Sequence, residues 1–74
     1  MQNKHAEKYR KIGEQIKYYR KQKNLTQQEL ANKINISKSY LSKIEAQNCI
    51  KSFSVEVLMD IADALEVPVS VLLA

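Results

Sequence analysis

Apolar residues recur every three or four positions along most of the chain, and no stretch sustains the alternation of a half-buried strand. Tyr9, Ile12, Ile16 and Tyr19 form one such stripe and predict an amphipathic helix over 7–23. Gly13 lies inside it, at a cost of about 1 kcal/mol relative to Ala, and predicts a close packing contact there. Three later helix starts share one device: an apolar residue, a Ser or Thr, and a second apolar residue four positions beyond the hydroxyl. They are Leu25-Thr26-Leu30, Ile36-Ser37-Leu41 and Phe53-Ser54-Leu58. The hydroxyl accepts a hydrogen bond from a first-turn N–H, and the flanking apolar pair staples the entry angle. At Thr26 the capping box is complete, because Glu29 lies three residues on. The predicted helices then run over 27–34, 38–46 and 55–65, with a short fifth after Pro68, a residue tolerated in a first turn. Val55, Leu58, Ile61, Ala62 and Leu65 form the expected inward stripe of the fourth. Residues 1–6 are expected to be a disordered tail, and 7–74 one all-α domain of five helices.

Only Asn35 and Ile36 separate the second helix from the cap of the third. So short a connection forces a sharp turn, and Asn35 tolerates the left-handed conformation it needs. Ala31 is small enough for a close crossing, and Leu30, Ile34, Ile36, Leu41 and Ile44 fall inside such a unit. This is the pattern of a helix-turn-helix. On the outside of the third helix Lys38, Ser39, Ser42 and Lys43 share a face with no acid and no large apolar group. Lys can donate to guanine O6 and N7, and Ser can donate or accept at several base edges. An ordinary solvated face is the alternative for these four residues. Tyr40 lies at the flank, where its hydroxyl can reach a phosphate while its ring packs inward. Gln27 lies in the first turn of the second helix, where backbone N–H groups favour an anion.

Charge sharpens the picture. All twelve Lys and Arg of the 74-residue chain lie between Lys4 and Lys51, beside four acids, a surplus of eight positive charges. Residues 52–74 hold Glu56, Asp60, Asp63 and Glu66 and no base. A basic block beside an acidic one suggests the electrostatic footprint of a polyanion partner; a solvated surface with chance asymmetry is the alternative. One Cys excludes an intramolecular disulfide, and one Cys with one His cannot supply a structural zinc site. No apolar run suits a membrane span, and 1–11 lack the apolar core of a signal peptide, so a cytoplasmic protein is expected. No nucleophile–base pair, glycine-rich phosphate loop or metal cluster is visible; neither an enzyme nor a cofactor is expected. Tyr9, Tyr18 and Tyr19 are read as core or half-buried, Cys49 as a passive thiol, and His5 as part of the tail.

The segment IGEQIKYYRKQKNLTQQELANKINISKSYLSKIEA resembles the Xre-type, phage repressor and Cro-like helix-turn-helix family, most specifically in LTQQELANKI and ISKSYLSKIE. SVEVLMDIADALEVPVSVLL resembles the family's two closing helices, so the likeness covers about residues 12–73. It implies a compact five-helix, lambda-repressor-like domain with the helix-turn-helix in helices 2 and 3. It further implies a homodimeric transcriptional regulator, usually a repressor, on a near-palindromic double-stranded DNA operator. Lys38, Ser39 and Lys43 match the family's base-reading positions, which Ser42 adjoins. Gln27 matches a phosphate-contacting Gln, and Ser37, Tyr40, Asn48 and Lys51 join it as expected phosphate contacts. Arg20 matches a first-helix Arg that pairs with the Glu closing the recognition helix, here Glu45. Glu66 stands where the family often has Gly, and the loop after Glu45 is about two residues longer than is common.

Val57, Val71 and Leu73 are apolar residues left outside the core stripe. They are either scattered surface residues or a symmetric dimer patch. The rival reading is a protein-interaction or antitoxin-like module on the same scaffold, with these residues as its docking patch. No ligand-sensing domain is expected within these 74 residues, so control is expected from concentration, a regulatory partner protein or the oligomeric equilibrium.

Overall fold

Hydroxyl caps set the start of three helices. The computed structural model describes residues 5–46 and 54–74, and in them runs α1 (Ala6–Gln22), α2 (Gln27–Lys33), α3 (Lys38–Glu45), α4 (Val55–Leu65) and α5 (Val69–Leu73). Thr26 Oγ1 accepts from the Glu29 amide at 3.0 Å while Glu29 Oε1 accepts from the Thr26 amide at 2.8 Å, completing the capping box. Ser37 Oγ accepts from the Tyr40 amide and Ser54 Oγ from that of Val57. Leu25 and Ile36, the residues before the first two caps, pack against the core with Leu30 and Leu41. Phe53, the third expected staple, lies outside the described residues, as do 1–4 of the expected tail.

Three helices end in one motif. After α1, α2 and α4 the chain turns through a left-handed residue: Asn24 (φ 59°), Asn35 (φ 59°) and Glu66 (φ 60°). In each case the next amide reaches back to a carbonyl five residues earlier: Leu25 to Arg20, Ile36 to Ala31, and Val67 to Ala62. This Schellman closure satisfies carbonyls the helix leaves open. Asn tolerates the left-handed well; Glu does so poorly. The Glu66 side chain pairs with Lys23, whose Nζ donates to its carboxylate at 2.6 Å. That hydrogen bond, with the Lys23 charge, keeps the Glu66 carboxyl below the usual carboxylate range. Glu66→Gly is expected to raise the melting temperature by a few degrees, because relief of the backbone outweighs an exposed ion pair. A lower melting temperature would show the ion pair to be the larger effect.

The core is built from all five helices. Ile16, Leu30, Ala31, Leu41, Ile61 and Leu72 have no exposed surface, and Ile44, Leu58, Ala62 and Leu65 are nearly as enclosed. α1 packs against α3, α4 and α5, and α2 against α3 and α4. Gly13 sits where α1 meets α3: a Cβ there would lie 2.4 Å from the Ile44 carbonyl oxygen. The glycine is thus the condition for backbone-to-backbone approach.

Two expectations of burial need correction. Val55 is 71% exposed and does not join the inward stripe, which begins at Leu58. As the first residue of α4 it overhangs the core by one turn. Tyr18 is 54% exposed, because it points away from the Ile12 and Ile16 side of α1. Its ring meets that of half-buried Tyr19 edge to face, with centroids 5.0 Å apart.

Candidate nucleic-acid interface

α3 divides cleanly along its length. Leu41, Ile44 and Glu45 are buried; Lys38, Ser39 and Lys43 are exposed, and Ser42 is half-buried. The four expected base-reading residues therefore share one outward face, two lysines and two hydroxyls without an acid. α3 packs on α1 and α2, so its inner side is occupied and its outer side open.

A buried polar network fixes the end of that helix. Arg20 is 8% exposed and Glu45 4%. Arg20 Nε donates to Glu45 Oε2 at 2.7 Å and its Nη2 to Glu45 Oε1 at 2.9 Å, a fork on a fork. Arg20 Nη1 also donates to the Leu25 carbonyl at 2.7 Å, tying in the turn that leads to α2. No buried side-chain polar atom among the described residues lacks a partner. The expected ion pair is present and internal, as an anchor of α3 requires.

Gln27 adds a connection that local sequence gave no reason to expect. Its Nε2 donates to Glu45 Oε1 at 3.1 Å, so the side chain is held against α3. One amide proton and the side-chain oxygen are left for an outside partner. Beside it, the capping box occupies the Thr26 and Glu29 amides and leaves those of Gln27 and Gln28 as first-turn donors that no cap uses. Ser37 is exposed, and its oxygen accepts the Tyr40 amide while its O–H can still donate. Tyr40 is half-buried with its side chain packed against the core. Asn48 and Lys51, expected at phosphates, lie outside the described residues, and so does Cys49.

Of the expected dimer residues, Val57 and Val71 are half-buried against the core and Leu73 is 57% exposed. Gln15 Nε2 donates to the Val71 carbonyl at 3.1 Å, which pins α5 to α1. Among the described residues no group of His, Cys, Asp and Glu can hold a metal, and no helix is long and apolar enough to cross a membrane.

Two short helices joined by a left-handed Asn, the second anchored from within and polar without, define a helix-turn-helix protein. A family model described as helix-turn-helix matches residues 16–72, and the chain belongs to this Xre/Cro/C1-type family. It is 44% identical over 62 residues to the HTH-type transcriptional regulator SinR of Bacillus subtilis, covering 84% of this chain and 55% of SinR. It is 44% identical over 59 residues to the immunity repressor protein of Bacillus phage phi105, covering 80% of this chain and 40% of that protein. The chain thus spans about half the length of these relatives. A crystal structure of SinR, the master regulator for biofilm formation, in complex with DNA superposes with a TM-score of 0.79 at 41% identity. That match covers 85% of this chain and 98% of the SinR chain.

Proposed function

We propose that this chain is a cytoplasmic, sequence-specific double-stranded DNA-binding regulator that represses transcription as a homodimer on a near-palindromic operator. One observation carries the reading: α3 turns Lys38, Ser39, Ser42 and Lys43 outward while Arg20 and Glu45 fix it from inside. In this reading α3 enters the major groove with those four residues at base edges. Gln27 donates its remaining amide proton to a phosphate, so Glu45 links that contact to the recognition helix. The Gln27 and Gln28 amides, Ser37 and Tyr40 set the register, with Asn48 and Lys51 from the following loop. Val57, Val71 and Leu73 provide the symmetric patch, and a dimer presents two α3 helices about 34 Å apart. The SinR–DNA complex and the repressor among the relatives support this reading.

The test is selection of bound duplexes from a random library at near-physiological salt. A two-fold symmetric motif with half-sites about one helical turn apart is expected. No enrichment by a folded protein would move the reading to a protein-interaction module. A pair of variants then separates the two kinds of contact. Lys43→Ala should weaken the selected site by about 1–3 kcal/mol and relax preference at one base position. Gln27→Ala should weaken all duplexes alike and leave the selected motif unchanged. Uniform loss for Lys43→Ala would make it a phosphate contact; a changed motif for Gln27→Ala would give it a reading role.

A further inference from the structure

The acids of this protein fall into two groups. Glu7 and Glu14 pair with Arg10, Glu29 closes the α2 capping box, Glu45 pairs with Arg20, and Glu66 with Lys23. The carboxylates of Glu56, Asp60 and Asp63 make no ion pair or hydrogen bond among the described residues, and all three residues are exposed. They stand at i, i+4 and i+7 of α4 and so form a single stripe, opposite the buried Leu58, Ile61 and Leu65. Lys33 borders a depression with Asp60 and Asp63 but reaches neither as an ion pair. Along one flank of the stripe run Val55 and Met59, 71% and 50% exposed. Val57 of the expected dimer patch lies on the other flank. A face that is acidic at its centre and apolar along one edge repels phosphate and suits a basic, partly apolar surface.

The same chain carries such a surface. On α1, Lys17 and Lys21 stand one turn apart with no ion-pair partner among the described residues, and Tyr18 projects beside them. The Arg10–Glu7–Glu14 cluster lies toward the start of the helix, one cation between two carboxylates, and leaves Lys17 and Lys21 outside its pairs. Thus one face offers three carboxylates beside a thioether, and the other two ammonium groups beside an aromatic ring. Met and aromatic side chains pack favourably at the ring edge. Both faces belong to every copy, so one copy's α4 face can meet the next copy's α1 face head-to-tail.

We propose that the α4 face of Glu56, Asp60, Asp63 and Met59 docks on the α1 face of Lys17, Tyr18 and Lys21 of a second copy, and that this contact makes copies fill adjacent DNA sites cooperatively. The cooperative role rests on the DNA-binding reading above; the contact itself does not. It involves neither the α3 face nor Val57, Val71 and Leu73. Exposed charge pairs are weak and salt-sensitive, so the contact gains most when DNA holds two copies side by side.

The experiment uses duplexes carrying one selected site, or two at several spacings. Four proteins are compared, each checked by circular dichroism: wild type, D60K/D63K, K17E/K21E, and the fourfold swap that combines them. The swap has the net charge of wild type, and all four altered residues are exposed. Wild type should fill a two-site duplex about tenfold better than two independent sites predict, a common size of coupling. Each reversal alone should bring that factor close to one, and the swap should restore it. A wild-type factor of one at every spacing, a reversal without effect, or a swap that fails to restore would each overturn the proposal. Single-site affinity reports the DNA-binding reading separately. If no duplex is bound specifically, sedimentation equilibrium at low salt decides the contact. Average mass that rises further with concentration for wild type and swap than for either reversal supports it, and equal masses for wild type and both reversals overturn it.

Discussion

Glu45→Ala is expected to cost about 3–5 kcal/mol and to leave the domain largely unfolded near body temperature. The substitution strips the Arg20 guanidinium, 8% exposed, of both carboxylate bonds and leaves it only the Leu25 carbonyl. It also removes the acceptor of Gln27. A domain this small has a total stability on the order of 5 kcal/mol or slightly more, so the loss takes most of it. Urea denaturation measures it; a loss below about 1 kcal/mol would show that water reaches the pair. The informative companion is Arg20→Met with Glu45→Leu. Replacing both charges with apolar groups of similar size is commonly neutral or stabilising. This double variant should fold yet bind DNA more weakly, because nothing then holds the Gln27 amide against α3. Wild-type affinity from it would show that the network serves stability alone.

Gly13→Ala is the second large effect, and its sign runs against helix propensity. Ala in place of Gly inside a helix is worth about 1 kcal/mol in favour of the variant. Against this stands a Cβ placed 2.4 Å from the Ile44 carbonyl oxygen and 3.5 Å from Glu45 Cα. The obstacle is backbone, so no side-chain rotation relieves it, and α3 must retreat from α1. Overpacking of that kind costs about 1–3 kcal/mol, and more when a whole helix moves. A net loss of stability is expected, with a further loss of DNA affinity as the recognition helix shifts. A rise in melting temperature would mean that the helices do not meet as closely as this contact requires.

Most of the fold was legible because its boundaries are written in local chemistry. Thr26, Ser37 and Ser54 cap where a hydroxyl between two apolar residues predicts, and α4 has the expected limits. Asn35 takes the left-handed turn the short connection demanded, and Gly13 has the close neighbour its position implied. Asn24 was missed although the same signal, an Asn at the end of an amphipathic stripe, was present. Val55 was misplaced because periodicity gives direction around a helix but not where along its axis the core ends. The Gln27–Glu45 bond joins residues 18 apart in sequence, and the Lys23–Glu66 pair residues 43 apart. Neither has a local signature, since only the packed arrangement of α1, α2, α3 and α4 brings these groups within reach. Resemblance to a family supplied the Arg20–Glu45 pair; spacing alone did not.

The division of α3 has a consequence for how such a protein changes over time. What holds the helix in place is Leu41, Ile44, Glu45 and the Ile44 carbonyl against Gly13, and none of these is on its outer face. Exposed Lys38, Ser39 and Lys43 carry little of the packing, and surface changes of this sort alter stability by only about 0.5 kcal/mol. The three positions can therefore be rewritten with small penalty to folding. In the DNA-reading role proposed for α3, a duplicated copy can acquire a new operator by drift at a few codons while its scaffold stays under constraint, and the same freedom lets one backbone serve as a host for grafted specificities.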